Sequence, residues 1–248
     1  MARIVIELTN RCNLRCQHCF DERHAATGKL PLPLVEKVIQ EGRDCNINEI
    51  CFTGGEPTLH RDFNTIVRRV SEADYPFSFV SNGVSFSQIY PLLLEFRQWF
   101  TGVTFSLDGA REATHDQIRG KGSYRHVMRA ASVSVFKDLP FTLNMVLTRK
   151  NQGEVEEMVN LAKRLGSGGV RFGHLMPTPD TARRNLDLSP PERRRVESRI
   201  WQLREKASVP VLMAPGYFSN SPFFPCTPPE GEEFNLDYQG NLTLCCQL

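Results

Sequence analysis

The amino-acid sequence predicts an α/β fold, a partial (β/α)6 TIM-like barrel with a short C-terminal extension. Short apolar segments alternate with amphipathic segments along most of the chain, which indicates β-α units in series and hence a parallel sheet. Polar motifs follow the ends of the first four predicted strands, and barrel enzymes carry their chemistry on that rim. The alternative is a doubly wound sheet, which binds ligands chiefly at one switch point.

Each predicted strand is short, apolar or β-branched, and bounded by polar, Gly or Pro residues. The strands are Arg3–Leu8, Glu49–Thr53, Phe77–Ser81, Val103–Leu107, Phe141–Leu147 and Val170–His174. The helices are Leu34–Asp44, Asp62–Ala73, Phe86–Phe96, Tyr124–Phe136, Glu154–Leu165 and Pro191–Lys206. The last helix begins with SPPER, in which a Ser cap precedes Pro at the first helical turn.

The composition is that of a water-soluble globular chain. Its 248 residues suffice for one large domain or one domain with an appendage, and the net charge of +2 gives no reason to expect nucleic acid or membrane as a partner. No segment approaches the roughly 20 apolar residues of a membrane span, and the N-terminus does not resemble a signal peptide. We therefore expect a cytoplasmic chain whose eight cysteines are metal ligands, reactive thiols or core residues.

Three cysteines lie close together after the first strand, at Cys12, Cys16 and Cys19. Their spacing would also fit one buried face of a helix, but the polar TNR and Asn13 favour a loop around a ligand. A tetrahedral zinc site needs four ligands, which here would require His18 or His24. An iron–sulfur cluster fits three thiolates better and would keep one iron open for a substrate or cofactor.

The segment CNLRCQHC resembles the signature of the radical S-adenosylmethionine (radical SAM) enzymes. The resemblance implies a 4Fe–4S cluster on Cys12, Cys16 and Cys19, with the open iron bound by the amino and carboxylate groups of SAM. In that family the reduced cluster cleaves SAM to methionine and a 5′-deoxyadenosyl radical, which abstracts a hydrogen atom from the substrate.

Further motifs extend the resemblance over roughly residues 3–180. TGGEP resembles the family's Gly-Gly-Glu-Pro motif, which contacts the SAM amino group, and SNG resembles a Thr-Asn-Gly segment with Ser in place of Thr. SLDG resembles a loop that faces the ribose or the methionine carboxylate, and HDQIRG supplies an arginine for that carboxylate. The implied cofactor-binding residues are Gly54, Gly55, Glu56, Pro57, Ser81, Asn82, Ser106, Asp108, Arg119, Asn144 and His18.

The C-terminal cysteines resemble the opening of a seven-cysteine module called SPASM, or of its shortened form, twitch. The resemblance implies that Cys226 and Cys245 are ligands of a possible auxiliary iron–sulfur cluster. The chain ends at Leu248 without the downstream cysteines of the module. Either the chain is truncated, which we favour, or the auxiliary cluster is absent or is completed by groups other than cysteine. Cys246 is a candidate catalytic residue, as a hydrogen-atom donor, or a cluster ligand.

These patterns divide the chain into a barrel at residues 1–206 and the start of a cluster-binding, SPASM/twitch-like module at residues 207–248. The expected function is hydrogen abstraction that modifies a peptide or protein side chain, with a flavodoxin or ferredoxin as reductant. The first alternative is a small-molecule enzyme that dehydrogenates a sugar alcohol or modifies a tetrapyrrole. The second is a non-catalytic iron–sulfur or zinc-binding protein.

Overall fold

The computed structural model describes residues 2–19, 27–214 and 233–243. Within these ranges the strands are β1 Ala2–Thr9, β2 Ile47–Gly54, β3 Phe77–Ser81, β4 Phe100–Ser106, β5 Phe141–Leu147, β6 Val170–His174, β7 Val211–Met213, β8 Glu233–Leu236 and β9 Leu242–Thr243. The helices are α1 Leu32–Glu41, α2 Phe63–Glu72, α3 Phe86–Glu95, α4 Glu112–Arg119, α5 Ser123–Phe136, α6 Val155–Arg164, α7 Pro179–Arg183 and α8 Pro190–Lys206. Short 3-10 turns cover Pro57–Leu59 and Gln152–Glu154.

All these strands form one sheet in the order β7-β6-β5-β4-β3-β2-β1-β8-β9. Neighbouring strands from β1 to β7 pair in parallel and follow chain order, and β8 pairs in parallel with β1. A doubly wound sheet reverses its strand order at a switch point, whereas sequential order is that of a barrel wall. The predicted α/β barrel class is therefore confirmed.

The hydrophobic core lies between the sheet and its helices. In β1 the residues Ile4, Ile6 and Leu8 are buried towards the helices, while Arg3, Val5 and Glu7 are half-buried on the other face of the sheet. Aromatic rings continue this layer, as in the edge-to-face contact of Phe63 with Phe79 at a centroid distance of 5.8 Å. Burying each such side chain contributes about 1.5–3 kcal/mol, so this layer fixes the strand register that positions the rim loops.

The described part of the C-terminal segment continues the same sheet. Strand β7, absent from our prediction, pairs with β6, and β8 pairs with β1. Strands β8 and β9 form a hairpin, with antiparallel pairing of Leu236 with Leu242 and Gly240 in the turn at φ +92°. No helix within the described ranges has the length and apolar character needed to cross a membrane.

Candidate functional site

The carboxyl ends of β1 to β6 surround a cavity of about 220 Å³. Most of the predicted cofactor-binding and cluster residues that fall in the described ranges line it. Those residues are Cys12, Cys16, His18, Cys19, Gly54, Gly55, Glu56, Ser81, Asn82, Ser106, Arg119 and Asn144. Pro57 and Asp108 do not line it. A second, wider depression lies at the opposite end of β3 to β5 and contains none of the predicted site residues.

The three cysteines lie on an irregular loop after β1 rather than on a helix face. This loop is fixed to the barrel through the backbone, since Gln17 N–H donates to the Ile118 carbonyl at 2.8 Å. Burial raises the pKa of the Cys16 thiol to about 11, although Arg119 opposes this shift. Among the described residues, no three His, Cys, Asp or Glu side chains are arranged to hold one metal ion.

The glycine pair after β2 lies directly against the cysteine loop. Gly55 N–H donates to the Thr9 carbonyl at 2.7 Å, and Glu56 N–H donates to the Arg11 carbonyl at 2.9 Å. A Cβ atom at Gly55 would lie 2.5 Å from the Arg11 carbonyl oxygen, which is closer than real contacts allow. Gly54 has a φ of +133°, a conformation that side chains disfavour. Glycine is therefore required at both positions for the loop to approach β2.

Glu56 is a buried carboxylate held by the loop after β3. Ser81 Oγ and Thr58 Oγ1 donate to its Oε1 at 3.0 and 2.7 Å, and Asn82 N–H donates to its Oε2 at 2.8 Å. Burial raises the pKa of Glu56, and these hydrogen bonds oppose the shift. The Asn82 side chain also reaches the cysteine loop, where Nδ2 donates to Asn13 Oδ1 at 2.7 Å. Ser81 and Asn82 thus connect Glu56, the predicted partner of the SAM amino group, to the cysteine loop.

Asp108 lies behind the cavity wall and connects several elements. Its Oδ1 accepts from Val146 N–H at 2.8 Å, and its Oδ2 lies 3.0 Å from His18 Nε2. Arg119 Nε also donates to Oδ2. Burial alone would raise the pKa of Asp108, but Arg119 and His18 hold it well below its usual range. This carboxylate is thus an ionised anchor between the cysteine loop, α4 and β5.

The donor set of the cavity fits the implied cofactors. Three soft thiols on one side match an iron–sulfur cluster, and Glu56 and Arg119 offer opposite charges for an amino acid group such as the methionine part of SAM. His18 Nδ1 is buried beside the cavity and has no hydrogen-bond partner among the described residues, so it is open to a ligand. Such an orphaned polar atom is costly unless a ligand satisfies it.

His174 ends β6 and lines the cavity, although no sequence motif marks it as a site residue. Its Nε2 lies 3.1 Å from Glu197 Oε1 on α8, and burial together with Arg193 lowers the pKa of His174 to about 4. The ring is therefore neutral at pH 7. Its position at a strand end was the available signal, because the predicted motifs occupy the same position on earlier strands. Glu7 and Met176 line the cavity as well, and no sequence motif marks them either.

The remaining predictions concern residues outside the described ranges. Cys226, Cys245 and Cys246 fall there, as does His24, the alternative zinc ligand. Their roles stay predictions from the sequence.

Comparison with known families identifies the class. A model of the radical SAM superfamily matches residues 6–162, which is more than half of the chain. The chain therefore belongs to the radical SAM superfamily, and this confirms the predicted cofactors, a 4Fe–4S cluster and S-adenosylmethionine.

Curated relatives point to several reactions. The chain is 28% identical to the AdoMet-dependent heme synthase of Methanosarcina barkeri, over 87% of this chain and 62% of that protein. It is also 28% identical to the PqqA peptide cyclase of Rhizobium meliloti, over 78% of this chain and 52% of that protein. It is 31% identical to the mycofactocin maturase MftC of Mycolicibacterium smegmatis, over 69% of this chain and 44% of that protein. The chain thus spans roughly half the length of these relatives.

Solved structures share the fold. Streptococcus suis SuiB bound to S-adenosylmethionine superposes with a TM-score of 0.80 at 14% identity, covering 98% of this chain and 60% of SuiB. SuiB bound to its precursor peptide SuiA gives a TM-score of 0.79. The enzyme anSMEcpe with bound AdoMet and the Cp18Cys peptide gives 0.76 at 20% identity, covering 100% of this chain and 74% of that one.

Proposed function

We propose that this chain is the catalytic barrel of a radical SAM enzyme that modifies a peptide or protein side chain. The observation that carries the proposal is the convergence of three thiols, Glu56 and Arg119 on one cavity at the carboxyl ends of the strands. When bound and reduced, the cluster and SAM together supply a 5′-deoxyadenosyl radical that abstracts a hydrogen atom from the substrate.

The residues of the chain bind and orient these groups. Cys12, Cys16 and Cys19 would hold the cluster. Glu56, fixed by its three neighbours, offers a carboxylate to the SAM ammonium group. Arg119 uses two of its N–H groups to bond Asp108 and Cys16, and its remaining N–H groups can bond the SAM carboxylate. Ser106 and Asn144, paired in register on β4 and β5, offer polar groups to the ribose.

A peptide substrate is supported by the relatives. PqqA peptide cyclase is named for a peptide that it cyclises, MftC is named a maturase, and SuiB and anSMEcpe have been solved with peptides. We place the chain in the SPASM/twitch subgroup on the spacing of Cys226 and Cys245, with an auxiliary cluster there and Cys246 as a candidate hydrogen donor. A flavodoxin or ferredoxin would supply electrons.

A second candidate is a small-molecule reaction on a tetrapyrrole. It is favoured by the similarity to the heme synthase of Methanosarcina barkeri, which extends over 87% of this chain.

Anaerobic reconstitution tests the enzyme class. The protein is loaded with iron and sulfide, reduced with dithionite and given SAM, and 5′-deoxyadenosine is quantified. We expect product from the wild type and from Cys45→Ala, which removes an exposed cysteine, and none from Cys16→Ala. Bound zinc without iron, together with no 5′-deoxyadenosine, would support the non-catalytic metal protein instead.

Isotope transfer distinguishes the two substrate classes before any single substrate is identified. The loaded enzyme receives either a peptide digest of perdeuterated protein or the perdeuterated small molecules of the same cells, and 5′-deoxyadenosine is examined by mass spectrometry. Deuterium in the product with the peptide fraction supports a maturase. Deuterium with the small-molecule fraction alone overturns that choice in favour of the second candidate.

A further inference from the structure

Arg119 makes a contact with the cysteine loop that SAM binding does not explain. Its side chain is 11% exposed, and Nη1 donates to Cys16 Sγ at 3.9 Å. Burial would lower the pKa of Arg119, but Asp108 and the thiol of Cys16 raise it above its ordinary value. The guanidinium is therefore a fixed positive charge next to a predicted cluster ligand.

A bond to Asp108, on the side away from the sulfur, fixes the orientation of this guanidinium. Nε is bonded to Asp108, whose carboxylate is in turn bonded to Val146 N–H and lies against His18. Asp108 is fully buried, so the pair cannot exchange its partners for water. The ion pair thus has its positive end towards Cys16 and its negative end towards β5.

The contacts to Cys12 differ in charge from the contact to Cys16. Cys12 Sγ receives Leu14 N–H at 3.5 Å and Asn82 Nδ2 at 3.8 Å, both of which are neutral donors. Hydrogen bonds to cluster sulfurs and nearby charge are the main means by which a protein sets a cluster's reduction potential. A buried cation acts strongly because little water screens it.

We propose that Arg119 donates a hydrogen bond to the Cys16 thiolate and thereby raises the reduction potential of the cluster, in addition to any contact with SAM. This inference rests on the proposed function, since it requires the cluster. Reduction adds one electron to the cluster, and a cation held against a ligand sulfur stabilises the more negative, reduced form. Arg119 is therefore a positioning and tuning residue for electron entry.

Redox titration of the reconstituted holoenzyme, followed by the electron paramagnetic resonance signal of the reduced cluster, tests this proposal. The titration is done without SAM, so that altered SAM binding does not contribute. We expect Arg119→Gln to lower the equilibrium constant for one-electron reduction about tenfold, which is ~59 mV. Arg119→Lys keeps the charge and should lie closer to the wild type, and iron and sulfide contents are matched before comparison.

Arg111→Gln is the matched control. Arg111 precedes the same helix, α4, but is exposed and paired with Glu157, so the potential should equal that of the wild type. If Arg119→Gln loads less iron than the wild type, the second neutral variant Arg119→Met carries the comparison, and a potential below that of Arg111→Gln supports the proposal.

Two outcomes overturn the inference and are separable from failure of the proposed function. Equal potentials in wild type and Arg119→Gln, with SAM cleavage by the wild type intact, overturn the tuning role alone. A difference that arises only when the titration is repeated with SAM shows that Arg119 acts through SAM and not through the thiolate. A wild type that forms no iron–sulfur cluster overturns the proposed function, and with it the inference.

Discussion

At the scale of single residues, Gly55 is the point where β2 meets the cysteine loop. A Cβ atom at this position would lie 2.6 Å from the Asn10 carbonyl oxygen and 2.5 Å from the Arg11 carbonyl oxygen, which leaves no room for it. Because both atoms belong to the backbone, Gly55→Ala must displace the loop itself. We expect a loss of roughly 1–3 kcal/mol in unfolding free energy and a lower iron content after reconstitution. Urea denaturation and iron analysis measure the two effects.

Gly153→Ala is the control for this substitution. Gly153 lies in the turn before α6, and nothing is within 4 Å of the Cβ position there. Its unfolding free energy and iron content should match those of the wild type. A Gly55→Ala protein that binds iron as well as Gly153→Ala does would show that the close approach of the loop is not needed for cluster binding.

Motifs at strand ends predicted residues that the structure brings to one cavity, and the roles of those residues stay predictions. Ser81, Ser106 and Asn144 line the cavity because strand register brings parallel strand ends to one rim. The sequence could not predict that Asp108 points behind the wall, because that depends on the partners His18 and Arg119 brought there by folding. Sequence spacing identifies loops that converge but not the direction of each side chain.

At the scale of elements, α8 begins with a cap that the sequence predicted from SPPER. Ser189 N–H and Oγ both donate to Glu192 Oε2, at 2.8 and 2.6 Å. This helix carries Glu197 to the rim, where it meets His174. Ser189→Ala should cost about 1 kcal/mol of unfolding free energy, as is typical for the loss of an N-terminal cap. Urea denaturation at pH 7 measures it.

Ser198→Ala is the matched control, since Ser198 is exposed in the middle of α8. Alanine has the higher helix propensity, so this variant should be as stable as the wild type or slightly more stable. Equal stabilities of the Ser189 and Ser198 variants would mean that the cap makes no net contribution.

The elements missed by the sequence analysis are those with weak local signals. Strand β7 has three residues and is held by pairing with β6 rather than by any pattern of its own. Helix α4 contains only two buried residues, His115 and Ile118, so its apolar periodicity is faint. In both cases tertiary contacts outweigh local propensity, which a single sequence does not display.

At the scale of the whole molecule, sequential strand order places the ends of β1 to β6 around one cavity, and folding buries two histidines. His115 on α4 accepts from Asp108 N–H at 3.1 Å, and His174 ends β6. Burial lowers the pKa of each imidazole from 6.5 to about 4, with Arg119 adding to the effect at His115 and Arg193 at His174. The fold thus buries two neutral histidines, of which His174 lines the cavity.

Because of these two histidines, we expect the folded chain to lose stability in mild acid. Their pKa values are depressed by folding, so between pH 6.5 and about 4 the unfolded chain binds more protons than the native one, and unfolding free energy falls as pH falls. Complete titration of one such group corresponds to roughly 3 kcal/mol.

His174→Gln removes one of the two groups, and its unfolding free energy should therefore fall less steeply between pH 6.5 and 4 than that of the wild type. Urea denaturation at pH 7, 6 and 5 measures the slopes, with His126→Gln on α5 as a control that leaves the cavity lining unchanged. Parallel curves for wild type and His174→Gln would show that His174 is not held neutral by the fold, and that the rim is more open to water than its burial indicates.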